Sequence, residues 1–180
     1  MTDANLSHRR RFYNRTSCYR LLALVLCLGT TLSASLAYGT EKASRILVDK
    51  SERTLVLFSS GKPIKSYPVS LGRNPVGHKR YEGDKRTPEG IYIIDGKNPN
   101  SAFHLSLHIS YPNERDKRIA RERGWDPGGA IVIHGLPTGL IKTSAKYEKD
   151  WTDGCIALSN AHIEEIWGLV DEGTLIEITP

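Results

Sequence analysis

The apolar residues in the first part of this chain occur in runs that are too short to form helices. Residues 46–50 and 54–58 are such runs, rich in leucine, isoleucine and valine, and polar residues 51–53 separate them. A glycine–lysine–proline turn at 61–63 precedes a third run at 64–71. Apolar and β-branched runs of this length, bounded by turn residues, are typical of strands. We therefore expect an antiparallel meander of three strands at the start of a mainly β domain.

The remaining sequence predicts one long loop, four further strands and two short helices. Residues 72–90 contain six glycines and prolines and show no periodicity, and a loop of this length in a compact domain is usually functional. Asn113 can cap the first helix, and Ser159 or Asn160 the second. The predicted strands are 91–94, 104–109, 130–133 (as a central strand) and 174–178, and the predicted helices are 113–123 and 160–170.

The first 37 residues have the organisation of a secretory signal peptide. Five arginines within the first 20 residues stand against a single acid, Asp3, and an apolar stretch at 21–28 follows. Ser35 and Ala37 are small residues of the kind that a signal peptidase recognises. We expect cleavage after about Ala37, leaving one domain at 38–180 with a core at about 45–178. An uncleaved anchor is the alternative, although a membrane span needs about 20 apolar residues.

The positive charge of the chain lies mostly in this segment. The whole chain has a formal net charge of +5, but from Tyr38 onward it holds 20 basic and 19 acidic side chains. A nucleic-acid-binding protein would be expected to carry a basic patch on the domain itself. We therefore expect an exported monomer with no nucleic-acid partner and no stable membrane insertion after cleavage.

Cysteine and histidine content restricts the chemistry that is available to the exported domain. Cys18 and Cys27 fall within the predicted signal, so Cys155 is the one cysteine that remains. A lone thiol is either a small buried apolar group or a reactive one. His104 and His108 share a face of a predicted strand but lie about 13 Å apart, too far to share one metal ion. We expect neither a metal nor another cofactor.

Residues 131–135 and 151–158 form the candidate site. A thiol is only a few per cent thiolate at neutral pH and needs a base beside it, so we expect Cys155 to be the nucleophile and His134 its base. Taken by itself, His134 is more typical of a buried or strand-end structural histidine than of a base. Gly154 permits close approach of the backbone, and the amides of Gly154 and Cys155 are expected to stabilise an oxyanion. Thr152 is expected to orient a ring nitrogen or a substrate group.

The spacing of these residues resembles that of a known family. Seventeen residues separate His134 from Thr152, and Thr152 begins the sequence Thr-Asp-Gly-Cys-Ile. The stretches Val-Ser-Leu-Gly at 69–72 and Thr-Pro-Glu-Gly-Ile-Tyr at 87–92 also match it. Together they are similar to the L,D-transpeptidase catalytic domain, the YkuD family, over about residues 45–178.

The resemblance implies a mainly β fold, a sandwich or mixed sheet with one or two short helices. It also implies attack by the Cys155 thiolate on peptidoglycan stem peptides, at the bond between the L-centre of the third residue and a terminal D-alanine. An acyl-enzyme forms on Cys155, and an amine acceptor then resolves it during cell-wall remodelling or cross-linking in the periplasm or cell envelope. Gly135, Asp153 and Arg86 are expected to contact the substrate.

Two residues depart from the pattern of the family. Asp153 stands where many members have histidine, and Ala157 where many have arginine or asparagine. An inward-pointing Asp153 would raise the pKa of the thiol, so we expect it to point outward. The two departures resemble those of a YafK-like branch of the family, in which hydrolysis of peptidoglycan linkages also occurs. A carboxypeptidase or amidase with the same nucleophile is therefore one alternative, and a non-catalytic wall-binding domain is another.

Overall fold

The computed structural model describes residues 41–139 and 149–180, which all belong to one compact unit. The predicted signal peptide at 1–37 lies outside the described residues. No helix in this described part has the length and apolar composition needed to cross a bilayer.

Within these residues, eight strands form one sheet in the order β3–β2–β1–β8–β4–β5–β6–β7. β1 runs parallel to β8 and β6 parallel to β7, while the other neighbours are antiparallel. The mainly β, mixed-sheet fold predicted from the sequence is therefore confirmed. The strands are β1 (Arg45–Asp49), β2 (Thr54–Ser59), β3 (Lys62–Pro68), β4 (Gly90–Ser101), β5 (His104–Ile109), β6 (Val132–His134), β7 (Ile156–Ala157) and β8 (Leu175–Thr179).

The predicted meander of β1, β2 and β3 is confirmed, but its third strand ends earlier than expected. β3 stops at Pro68 rather than at residue 71. The chain then leaves β2, and Ser70 exchanges two backbone hydrogen bonds with Ala157, of 2.9 and 2.8 Å. The segment after β3 therefore bridges to β7, so that the two ends of the sheet meet beside the candidate nucleophile.

Strands β1, β2 and β8 each contribute one face to the core. Alternate residues of β1, β2 and β8 are buried, as expected for strands with one face packed inward. Burying each such side chain contributes about 1.5–3 kcal/mol relative to exposure. The buried residues of these three strands include Ile46, Val48, Leu55, Leu57, Ile176 and Ile178.

Both predicted helices are present, and their caps explain where they begin. α1 (Glu114–Glu122) starts at Asn113, whose side chain accepts hydrogen bonds from two backbone amides of the first turn. The carboxylate of Asp116 accepts the Asn113 amide in return and completes a capping box. α2 (Asn160–Leu169) is capped by Ser159 and packs against β5.

The structure corrects the prediction for residues 130–133. The strand there is β6, it is three residues long, and it lies second from one end of the sheet rather than at its centre. Its outer neighbour β7 has two residues, too few to leave a periodic signal in the sequence. Residues 140–148, between β6 and β7 in the sequence, lie outside the described residues.

Candidate active site

The pairing of β6 with β7 places Cys155 and His134 on one face of the sheet. Ile133 is paired with Ile156, and His134 with Ala157, in parallel register. Side chains alternate between the two faces of a strand, so Cys155, one residue before Ile156, projects to the same face as His134. Both side chains line one cavity. The structure therefore brings together the two residues that the sequence singled out.

This cavity, which we call the larger cavity, has a volume of about 620 Å³ and is mostly apolar. A second cavity of about 310 Å³ shares Ala130, Asp153 and Cys155 with the first, and Lys79, Glu82 and Lys85 also contribute to its walls. Cys155 therefore lines two adjoining cavities. The larger cavity is lined by Arg73, Ala102, Phe103, Ala130, Val132, His134, Pro137, Trp151, Thr152, Asp153 and Cys155.

His134 is held in the tautomer that a general base requires. Only 3% of its surface is exposed, and its ring lies 4.6 Å from that of Phe103 and 5.6 Å from that of Trp151. Its Nδ1 lies 2.6 Å from the carbonyl oxygen of Gly135. A carbonyl can only accept, so Nδ1 carries the hydrogen and Nε2 has the lone pair.

Burial favours the neutral form of both reacting groups. It lowers the pKa of His134 and outweighs the hydrogen bond to Gly135, which acts in the opposite direction. Burial also raises the pKa of Cys155, and the charge of Asp153 adds to this, although the backbone of Val132 and the charge of Lys79 oppose it. The resting pair is thus a neutral imidazole and a protonated thiol, so proton transfer must accompany attack.

The thiol points toward a backbone carbonyl in this state. Cys155 Sγ lies 3.7 Å from the carbonyl oxygen of Ala130, within the range of a weak S–H hydrogen bond. Ala130 itself has a positive φ of 54°, a conformation that is uncommon for a residue with a side chain. The unusual backbone conformation of Ala130 therefore positions the carbonyl oxygen that accepts the weak hydrogen bond from the thiol.

Thr152 fixes the backbone around the cysteine. Its side chain is buried, and Oγ1 donates to the carbonyl oxygen of Cys155 at 2.8 Å while accepting the amide of Gly154 at 3.1 Å. Thr152 therefore orients this loop, and its hydroxyl is bonded to backbone groups rather than to a ring nitrogen. Its expected contact with a substrate group stays a prediction. The amide of Gly154 donates to this hydroxyl in the structure, so its role as an oxyanion donor stays a prediction. The amide of Cys155 is the other candidate of the expected pair.

Gly154 has a structural reason to be glycine. Its φ is +130°, and a Cβ placed there would lie 2.7 Å from the carbonyl oxygen of Arg86 and 3.2 Å from Ile131. At Gly72, a Cβ would lie only 2.2 Å from the carbonyl oxygen of Lys85. The long loop at 72–90 therefore packs backbone against backbone on the cysteine loop, and these two glycines permit the contact.

The loop at 72–90 is organised around a buried carboxylate. Asp84 accepts hydrogen bonds from the amides of Arg80 at 2.7 Å and Arg86 at 3.1 Å, and from Lys79 Nζ at 3.0 Å. Burial alone would raise the pKa of Asp84, but these bonds and the charge of Lys79 lower it overall. An ionised Asp84 thus holds in place the segment that contacts Gly154.

The three expected substrate contacts have different positions. Asp153 lines both cavities and points outward as expected, since 72% of its side chain is exposed, and it pairs with Arg73 at 3.1 Å. Gly135 lines neither cavity, because it packs under α2, where a Cβ would lie 2.6 Å from Asn160 Oδ1. Arg86 also lines neither cavity, and its carbonyl faces Gly154 instead.

Several lining residues were not predicted from the sequence. Phe103 and Trp151 flank the imidazole, and Arg73 stands at the edge of the larger cavity. Trp151 adjoins the cysteine motif and Arg73 follows a match to the family pattern, so both could have been considered on position alone. Phe103 lies in the turn between β4 and β5 and offers no comparable signal.

The histidines of β5 take part in surface pairs. His104 Nε2 lies 2.6 Å from Glu164, and His108 Nδ1 lies 2.5 Å from Asp95. Among residues 41–139 and 149–180, no group of three histidine, cysteine or acidic side chains is arranged to hold a metal ion.

Comparison with known proteins gives consistent matches. A family model, the L,D-transpeptidase catalytic domain (YkuD), matches residues 43–178. YafK of Escherichia coli K12, named as a candidate L,D-transpeptidase, is 28% identical over 131 residues, which cover 69% of this chain and 46% of YafK.

Solved structures show the same fold. The helical cell shape determining protein Pgp2 of Campylobacter jejuni matches with a TM-score of 0.59 and 27% identity, over 77% of this chain and 48% of that one. Bd1075 of Bdellovibrio bacteriovorus matches with a TM-score of 0.54 and 28% identity, again over 77% and 48%. The chain thus spans about half the length of these relatives.

Proposed function

The chain belongs to the L,D-transpeptidase catalytic-domain family, and we propose that it is a cysteine acyltransferase acting on peptidoglycan stem peptides. The observation that carries the proposal is the cavity shared by His134 and Cys155, in which Nε2 of the imidazole holds the lone pair. The larger cavity, at about 620 Å³, has the size of a small-ligand site. Its mostly apolar walls would exclude water from a peptide segment.

The proposed reaction has two half-reactions. His134 Nε2 takes the thiol proton as Cys155 Sγ attacks the carbonyl carbon of the third stem residue, and a carbon–sulfur bond forms. The tetrahedral oxyanion is stabilised by backbone donors beside the nucleophile, of which the Cys155 amide is a candidate. The carbon–nitrogen bond then breaks, and His134 gives its proton to the leaving amine of D-alanine.

The second half-reaction regenerates the enzyme. An amine of another stem attacks the thioester carbonyl and loses a proton to His134. The carbon–sulfur bond breaks, and the thiolate recovers the proton from the imidazole. The second cavity, which Lys79, Lys85 and Cys155 line, is the proposed site for this acceptor.

Hydrolysis is the second candidate function. If water takes the place of the amine in the same step, the products are a shortened stem and free enzyme, which is L,D-carboxypeptidase or amidase chemistry. The polar walls of the smaller cavity favour water as well as an amine. Asp153 and Ala157, where many family members have other residues, are the reason to consider this outcome.

We also propose that the protein is exported and works in the periplasm or cell envelope as a monomer. The predicted signal at 1–37 and the wall-directed chemistry of the family support this. The solved relative Pgp2 is described as determining helical cell shape. A role in cell-wall remodelling that sets cell shape is therefore proposed for this chain as well.

The test is to incubate the exported protein with purified muropeptides and to separate the products. Cross-linked or amino-acid-exchanged muropeptides would support transfer, and shortened stems alone would support hydrolysis. His134→Gln should abolish both, whereas His104→Gln, which alters a surface histidine paired with Glu164, should leave activity intact. Product formation by Cys155→Ala would refute both functions.

A different measurement tests the remaining alternative, a non-catalytic domain that only binds the cell wall. A carbapenem that acylates Cys155 would add its mass to the intact protein, and the adduct should be absent in Cys155→Ala. Sequencing the amino terminus of the exported protein tests the cleavage site, for which we expect Tyr38 as the first residue.

A further inference from the structure

We propose that Arg73 binds the terminal carboxylate of the stem peptide and thereby selects stems that end one residue after the bond under attack. The inference rests on the proposed function, because it assigns the recognition of the leaving residue at the same site. Its position directly after a match to the family pattern does not assign it a role, so the case depends on the geometry of the larger cavity.

Arg73 is held at that cavity by both its backbone and its side chain. Its amide donates to the carbonyl oxygen of Thr152 at 3.0 Å, which fixes it beside the cysteine loop. Its Nε donates to the carbonyl oxygen of Trp151 at 3.1 Å, and Nη1 lies 3.1 Å from Asp153 Oδ1. These contacts direct the guanidinium before any substrate binds, which reduces the entropy lost on binding.

Arg73 also supplies charge where little other charge exists. Among the described lining residues of the larger cavity, Arg73 is the one with a permanent positive charge, and Asp153 is its acidic counterpart. Lys79 and Lys85 line the smaller cavity instead. An anionic group that enters beside His134 therefore has one cationic side chain available to it in this described lining.

The chemistry of the leaving residue fixes where its carboxylate must lie. The leaving amine must be close to His134, because it receives its proton from that ring. In a terminal D-residue, a single Cα separates this nitrogen from the carboxylate carbon, so the carboxylate lies within about 4 Å of the nitrogen. The group that binds it must therefore line the cavity that contains His134, as Arg73 does.

The guanidinium can hold Asp153 and a substrate carboxylate together. Arginine carries five N–H donors, and the contacts with Trp151 and Asp153 engage those on Nε and Nη1. The N–H groups of Nη2 take part in neither contact and can donate to a second carboxylate, and such charge-assisted bonds are roughly twice as strong as neutral ones. A stem that is extended or amidated at this position lacks the charge and loses the interaction.

The experiment compares two synthetic stem peptides that differ only at the C-terminus, one a free carboxylate and the other a primary amide. Turnover is measured with the full active protein and binding with Cys155→Ala. We expect turnover and binding to favour the carboxylate stem about 10- to 100-fold over the amide stem. Arg73→Gln should remove this preference by weakening the carboxylate stem while leaving the amide stem unchanged. Arg73→Lys, which keeps the charge but not the fork, should restore part of it.

Arg80→Gln is the matched control, since Arg80 is an exposed arginine of the same loop that lines neither cavity. It should leave both stems unaffected. If Arg73→Gln weakens both stems equally, the residue only supports the loop and the inference is wrong. It is also wrong if that variant changes neither stem.

Failure of the proposed function gives a different pattern. In that case the active protein turns over neither stem, but the Cys155→Ala protein would still bind the carboxylate stem more tightly, in a manner that depends on Arg73. Absence of any stem binding would overturn the inference and the proposed function together.

Discussion

Thr152→Val is the substitution that best tests how the nucleophile is positioned. Valine has nearly the shape of threonine but neither donates nor accepts a hydrogen bond. It would remove the bonds from Thr152 Oγ1 to the Cys155 carbonyl and from the Gly154 amide, at 2.8 and 3.1 Å. Leaving a buried polar group without a partner costs about 1–3 kcal/mol. We expect a total loss of about 2–4 kcal/mol in the free energy of unfolding.

Urea unfolding followed by tryptophan fluorescence measures this loss. Thr152→Ser is the matched control, because it keeps the hydroxyl and removes only a methyl group, which costs about 1 kcal/mol. Alkylation of Cys155 by iodoacetamide reports on the geometry of the loop and should change in the valine variant more than in the serine variant. A loss below about 0.5 kcal/mol in Thr152→Val, or an equal loss in both variants, would refute the reasoning.

Three further outcomes follow from the site. Asp153→Asn should speed alkylation of Cys155 at pH 8 by up to about fivefold, since it removes an exposed charge that raises the pKa of the thiol; an unchanged rate would contradict this. Gly154→Ala should cost about 2–5 kcal/mol in urea unfolding, because alanine would be strained at this φ of +130° and its Cβ would lie too close to the carbonyl oxygen of Arg86. Gly168→Ala, in open space on α2, should cost nothing. The acid limb of the pH profile of kcat/KM should have its midpoint below about pH 6.5, because burial lowers the pKa of His134, and a midpoint above that value would contradict this shift.

Local signals explain the parts of the fold that the sequence predicted well. The hairpin of β1 and β2 depends on two short apolar runs and the turn between them. The starts of α1 and α2 depend on Asn113 and Ser159, whose side chains accept the first amides of each helix. Each of these features depends on residues that are close together in the sequence, so it can be predicted from the sequence alone.

Long-range contacts explain what the sequence did not reveal. β1 pairs with β8, although the two strands lie at opposite ends of the domain's sequence. β7 forms because it pairs with β6 on one side and with Ser70 on the other. The hydroxyl of Thr152 could have bonded to a ring nitrogen, and only the folded loop shows that it bonds to the backbone of Cys155 and Gly154. Arg73 likewise becomes a cavity residue only once Gly72 is placed beside Thr152.

The double backbone bridge between Ser70 and Ala157 has a consequence for motion. On its other side, the chain at β7 is bonded to β6, with Leu158 donating to the His134 carbonyl at 2.9 Å. Local opening on either side would break hydrogen bonds that hold the nucleophile, so the segment after β3, the cysteine loop and β6 form one cooperative unit. Fluctuations that admit a bulky substrate must therefore come from the outer walls of the cavities, while the reacting residues remain in register.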